Sequence, residues 1–267
     1  MRSLLEMKTN LFAKVLIAKS ILLFSCSVFA WSVGSKVVEL NESMEIASEE
    51  TAEDIQPAAE NSPKTRHHFN KKLSKLTAKE TVEVNYWRAI GYMKQKDTAT
   101  AEALLIANLH QDPRHHLSRI ELSALYLRNE LWEEAEGFLQ KGLKEDSRNS
   151  DFLRLMAMLH NAKGEPEKAL ELLLKIKEPG VHRRDYISLL GHVYQQLGHA
   201  TLARKQYFRL LQAEPNNPIW LLGVTMSLDS EGQREPALEG YRRLAKESAV
   251  EPEVLQYIRD RIAALKG

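Results

Sequence analysis

Residues 184–217 read RDYISLLGHVYQQLGHATLARKQYFRLLQAEPNN. Ile187, Leu190 and Tyr194 recur at helical spacing, Gly198 breaks the run, and Ala203 and Tyr207 resume it before Pro215. This is the pattern of two amphipathic helices joined by a tight turn. Gly191 and Ala203 are small, which lets two antiparallel helices approach closely while larger neighbours interlock. Gly198 ends the first helix, where a left-handed backbone costs glycine nothing, and Pro215 stops the second.

Ala203 belongs to a ladder. Ala101, Ala135, Ala169, Ala203 and Ala237 are 34 residues apart throughout. Twelve positions before each stands Ala89, Ser123, Ala157, Gly191 or Thr225, all small. Near the end of each first helix the sequence supplies Tyr92, Tyr126, His160, Tyr194 and Leu228. On the second helices it supplies Leu105, Leu139, Leu173, Tyr207 and Tyr241. Gly164 and Gly232 repeat the turn glycine, whereas Lys96 and Glu130 stand there in the first two frames. A 34-residue helix–turn–helix period is that of the tetratricopeptide repeat. His160 occupies a place where tyrosine packs and reads as a semi-buried packing residue.

The ladder sets five frames, 82–115, 116–149, 150–183, 184–217 and 218–251. Asn85 and Arg119 fall at the usually apolar fourth position of the first two, and in the third Val181 replaces the closing proline, with Pro179-Gly180 two residues early. Residues 254–265, VLQYIRDRIAAL, follow Pro252 and carry Val254, Leu255, Ile258, Ile262 and Leu265 on one face. A repeat array needs a terminal helix to cover its last apolar face, so 252–267 is expected to be that cap. The expected fold is all-α, a right-handed superhelical solenoid of eleven helices.

Composition removes several functions. The chain has 267 residues, 37 Lys plus Arg against 36 Asp plus Glu, a net charge of +1 and a single Cys. A disulfide framework or a Cys-based zinc site is therefore not expected, nor is the strong positive field of a nucleic-acid binder. Mean hydropathy of −0.38 argues against a multi-span membrane protein. The sequence holds no phosphate-binding glycine loop, no HExxH, and no Ser-His-Asp set supported by spacing. His67-His68 lacks neighbouring ligands, and His115-His116 reads as part of a surface turn. The expectation is a non-enzyme without metal or cofactor and without a small-molecule substrate.

The amino terminus is organised differently. Ser20 to Ser35 carries no charge and follows Arg2, Lys8, Lys14 and Lys19, with Glu6 the one acid. A basic flank before an apolar run directs export. Three outcomes fit residues 1–35: a retained anchor, since Val15 to Val33 is 19 residues; cleavage after Val28-Phe29-Ala30; or lipidation at Cys26 within Leu23-Phe24-Ser25-Cys26. Residues 36–81 then read as a disordered tether, acidic over 39–60 and basic at Lys64, Arg66, Lys71, Lys72, Lys75 and Lys79. The expected location is the bacterial inner membrane, single-pass, with the repeats facing the periplasm; the alternative is a periplasmic protein after cleavage.

Binding is the remaining function. In such solenoids positions 2, 5, 9, 12 and 13 of each first helix line the concave face. Here they include Tyr86, Ile90, Met93 and Lys94 in the first repeat and Ile120, Leu127 and Arg128 in the second. The third supplies Arg154, Met158 and Asn161, the fourth Asp185, His192 and Gln195, and the fifth Leu222, Met226 and Asp229. This partner-binding groove, apolar at both ends and polar in the middle, suits an amphipathic helix or a partly apolar extended segment. The Lys/Asn/Arg clamp that holds a carboxylate terminus in some relatives is missing from the matching positions.

Particular strings resemble one bacterial family. AEALL at 101–105, DPRHH at 112–116, NPIWLLGV at 217–224, ALEGYRRL at 237–244 and the ending from Tyr257 to Leu265 are similar to the tetratricopeptide proteins of the mannose-sensitive haemagglutinin (MSHA) type IV pilus, the MshN type. The resemblance covers roughly 82–267. It implies a scaffold of pilus biogenesis, anchored near its N-terminus, whose partners are other pilus-assembly or secretion-apparatus proteins. Members usually carry more sequence before the anchor and often a second Trp where Leu221 stands. Two alternatives are a cleaved or lipidated adaptor for envelope or outer-membrane assembly and a cytoplasmic-facing regulatory adaptor whose basic Lys64 to Lys79 run meets nucleic acid.

Overall fold

The computed structural model describes residues 77–247 and 250–266. The expectations for residues 1–76, signal or anchor and most of the tether, lie outside them. The described residues form eleven α-helices: α1 (Ala78–Lys94), α2 (Thr98–Gln111), α3 (His116–Arg128), α4 (Trp132–Glu145), α5 (Ser150–Ala162), α6 (Pro166–Lys175), α7 (Arg183–Gln196), α8 (Ala200–Ala213), α9 (Pro218–Ser230), α10 (Arg234–Leu244) and α11 (Pro252–Lys266). Among the described residues there is no strand, and no helix is long and apolar enough to cross a membrane.

Local chemistry sets the helix limits. Thr77 and Glu80 form a reciprocal cap: the Glu80 N–H donates to Thr77 Oγ1 at 3.3 Å and the Thr77 N–H donates to Glu80 Oε2 at 2.8 Å. That cap starts α1 four residues ahead of the frame at 82, so residues 77–81 belong to the solenoid and not to a disordered tether. Asn149 and Asn217 accept the first free N–H groups of α5 and α9. Gly180–His182 is a short 3₁₀ turn, and α6 ends at Lys175 after 10 residues where α2, α4 and α8 have 14. The early Pro179-Gly180 signal thus marks a shortened second helix.

The turn inside every repeat has one geometry. Lys96, Glu130, Gly164, Gly198 and Gly232 all have positive φ, between 59° and 77°. The N–H of the next residue reaches back to the carbonyl of Tyr92, Tyr126, His160, Tyr194 or Leu228 at 2.8–2.9 Å. This is the closing bond of a Schellman turn. The first two repeats adopt the left-handed conformation without glycine, because the same closing bond forms there.

Packing follows the ladder. Ala101, Ala135, Ala169, Ala203 and Ala237 are fully buried. Each helix packs on the next, and α3, α5, α7 and α9 also pack on one another in succession. Among the described residues, successive second helices do not approach one another to that degree, so the array bends with its first helices inside. Large rings lock neighbouring repeats. Phe152 of α5 lies against Gly142 of α4, where a Cβ would come within 2.6 Å of the ring, and Tyr207 of α8 lies between Gly191 and Gly223. At the C-terminal end α11 buries Val254 and Ile258, and Arg261 grips Asp229 through two bonds of 2.7 and 2.8 Å.

Candidate partner-binding face

The helix contacts put the first-helix positions on the inner side of the bend, at different depths. Tyr86, Ile120, Leu127, Arg154, Asn161, His192, Leu222 and Met226 are buried and belong to the packing of the stack. Ile90, Met93, Arg128, Met158, Asp185, Gln195 and Asp229 are half-buried, and Lys94 is exposed. These last eight form the accessible edge. Arg128 reaches across from α3 to α1, its Nη2 lying 3.6 Å from Met93 Sδ, so the basic ends of the first two repeats converge. Asp229 is taken up by Arg261, which turns it from a groove acid into the anchor of the cap.

The middle of the face is a web of charge. Arg154, only 1% exposed, bridges to Asp151 at 3.1 Å. Burial lowers the pKa of its guanidinium, opposed by Asp151. His182, from the 3₁₀ turn, lies 3.6 Å from both Asp151 and Asp185. Glu121 of α3 points into the same region. Burial raises its pKa, and Arg128, His182 and Arg154 pull it back down. Position 6 lies outside the 2, 5, 9, 12, 13 rule, which is why the sequence reading passed Glu121 over. His182 was missed because it sits in a connection whose place in the groove depends on the shortened α6.

Other polar residues hold structure. Arg119, the misfit at an apolar position, is buried and donates to Glu145 Oε2 at 2.8 Å and to the Pro113 carbonyl, tying the turn between repeats one and two to α4. His160 Nδ1 lies 2.6 Å from Glu165 Oε2 across its turn. His192 accepts from Gln196 Nε2 at 2.9 Å, and burial pushes its pKa down to about 4, so it is neutral at pH 7. In contrast, Asn161 Oδ1, Ser188 Oγ, Gln195 Oε1 and Gln196 Oε1 are buried and have no hydrogen-bond partner among the described residues. Among the described residues, no three His, Cys, Asp or Glu side chains are grouped to hold a metal.

Comparison with known proteins agrees with this architecture. The tetratricopeptide-repeat family model matches residues 92–159. No curated protein matches the sequence. Among solved structures, PilF of Pseudomonas aeruginosa is similar at 20% identity and a TM-score of 0.58, over 71% of this chain and 90% of that one. PilW, described as a widely conserved type IV pilus biogenesis factor, is 17% identical with a TM-score of 0.62, over 70% of this chain and 87% of that one. YrrB, described as a repeat protein with an unusual peptide-binding site, is 15% identical with a TM-score of 0.54, over 69% and 98%. At such identities the likeness is one of fold. The described residues share the helical-repeat fold of these structures, and the tetratricopeptide-repeat model matches residues 92–159 within it.

Proposed function

We propose that the chain is a non-enzymatic protein–protein interaction scaffold of type IV pilus biogenesis, of the MSHA system or a related secretion apparatus. The observation that carries the reading is the inner face itself: first helices packed in succession, with an accessible edge of Lys94, Met93, Arg128, Met158, Gln195 and Asp185 along it. A repeat array offers a long surface of this kind. The pilus assignment is supported by the strings that resemble the MSHA family and by the fold shared with PilF and PilW. The N-terminal segment holds the protein at the inner membrane with the repeats in the periplasm, where tethering raises the local concentration of the face.

Full-length protein carrying Lys94→Glu with Gln195→Trp tests the surface, since both side chains reach its accessible edge. Capture of pilus-assembly proteins should fall at least tenfold while helicity is retained. Undiminished capture would remove the inner face from the reading. A periplasm-only reporter fused after Gly267 tests the topology, and an inactive fusion contradicts it. A second reading, a periplasmic adaptor released by cleavage, rests on Val28-Phe29-Ala30; a mature N-terminus at Trp31 would establish it.

A further inference from the structure

We propose that the middle of the inner face, in repeats three and four, is occupied by the chain's own basic stretch, residues 61–76, which a partner must displace. This deepens the assignment of that face as the binding surface and rests on it.

Four side-chain oxygens there meet no donor among the described residues. Asn161 and Ser188 are 4% and 3% exposed, and their side-chain oxygens, with those of Gln195 and Gln196, meet no donor among the described residues. Asn161 and Gln195 are 34 residues apart, so they stand at the same height on α5 and α7, helices that touch. Buried polar atoms of folded proteins are nearly always paired, and four unpaired oxygens grouped beside the accessible edge favour a donor-bearing ligand there. The four carboxylates outnumber the guanidinium groups of Arg128 and Arg154 beside them, and that excess points to the charge of the ligand. Glu83, Glu121, Asp151 and Asp185 follow one another on α1, α3, α5 and α7, and Glu121 has no hydrogen bond or ion pair within bonding distance among the described residues. A matching occupant is cationic, rich in N–H groups and free of acids.

Residues 61–76, NSPKTRHHFNKKLSKL, have that composition: Lys64, Arg66, Lys71, Lys72 and Lys75 with no Asp or Glu. Phe69, Leu73 and Leu76 add apolar side chains. The preceding stretch, 39–60, carries eight acids and no Lys or Arg, and is excluded by like charge. Connection favours occupation in cis. The stretch runs directly into Thr77, the cap of α1. Packed helices stand 8–10 Å apart, so α7, three first helices along, is about 30 Å away. Sixteen extended residues reach about 50 Å. At the high effective concentration of a short tether, a weak site is filled, and the apparent affinity for an external partner falls by the fraction left open.

The test uses the full-length chain with p-benzoylphenylalanine in place of Phe69, irradiated at low protein concentration and mapped by mass spectrometry. The expected product is an intramolecular link to α5 or α7. Gln195→Leu with Asn161→Leu should cut its yield several-fold without lowering the melting temperature, because those oxygens have no partner to lose within the fold. In parallel, a synthetic peptide of residues 61–76 is titrated into wild type and into Lys71→Glu/Lys72→Glu/Lys75→Glu protein. The variant, its own stretch displaced, should bind the peptide at least tenfold more tightly. Links to anionic lipid, to a second protein or to residues 39–60, or equal peptide affinity of the two proteins, would overturn the proposal. These outcomes leave the scaffold reading intact, which falls only if inner-face variants capture partners undiminished.

Discussion

Tyr207 and its two glycines allow the stacking of repeats four and five to be tested with a built-in control. The ring is fully buried, and a Cβ added at Gly223 of α9 would lie 2.5 Å from its Cγ, whereas one at Gly191 of α7 would lie 3.2 Å from its Cζ. Ordinary contact begins near 3.4 Å, so Gly223→Ala forces the ring back by nearly an ångström, towards a neighbour that is itself already close. Overpacking of this kind costs about 1–3 kcal/mol. Alanine also gains roughly 1 kcal/mol over glycine within a helix, and that gain must be subtracted. Gly137 of α4 supplies the control, because a Cβ there meets nothing within 4 Å. Gly137→Ala takes the helical gain alone, so the separation between the two variants equals the overpacking cost, about 1–3 kcal/mol. Gly191→Ala should fall between them. Urea unfolding of the full-length proteins, followed by circular dichroism at 222 nm, measures all three. Equal stabilisation by Gly223→Ala and Gly137→Ala would refute the placement of Tyr207 between repeats.

Two further predictions address the fold. Lys96→Gly and Glu130→Gly relieve left-handed residues at φ 65° and 59°, and each should raise the urea midpoint by an amount equivalent to about 1 kcal/mol; a loss at either would show that its turn is not closed as described. His192, with its pKa lowered to about 4 by burial, makes the fold acid-sensitive. Unfolded, the ring takes its proton near pH 6.5, so its contribution is whole above that value and is lost as pH falls from 6.5 to 4, about 3 kcal/mol in all. Wild type should lose that much more stability than His192→Phe between pH 7 and pH 4, measured by urea titration at each pH, and parallel losses would place the imidazole in solvent.

The ladder makes this fold legible because each 34-residue interval repeats one packing problem: a small residue where two helices cross and a left-handed turn between them. Where a repeat solves that problem by other means, the sequence is silent. Nothing in Lys96 or Glu130 announces the turn, which is closed by backbone bonds to the Tyr92 and Tyr126 carbonyls. Thr77 and Glu80 do announce the start of α1, but counting from the alanines sets the frame at 82 and passes over them. For the candidate face, periodicity selects the side of each helix and cannot give its depth. Arg154, His192 and Met226 are buried because the first helices pack against one another, which depends on the bend of the whole array. Glu121 enters the face for the same reason, and His182 through the connection left by the shortened α6.

The scaffold reading stands on which side of the solenoid meets other proteins. A photo-crosslinking residue placed in the full-length chain at Lys94 or Gln196, on the first helices, and at Leu174 or Phe208, 61% and 50% exposed on the second helices, reports this directly in living cells. Adducts with pilus-assembly proteins are expected from the first pair and none from the second. Adducts confined to Leu174 and Phe208 would contradict it.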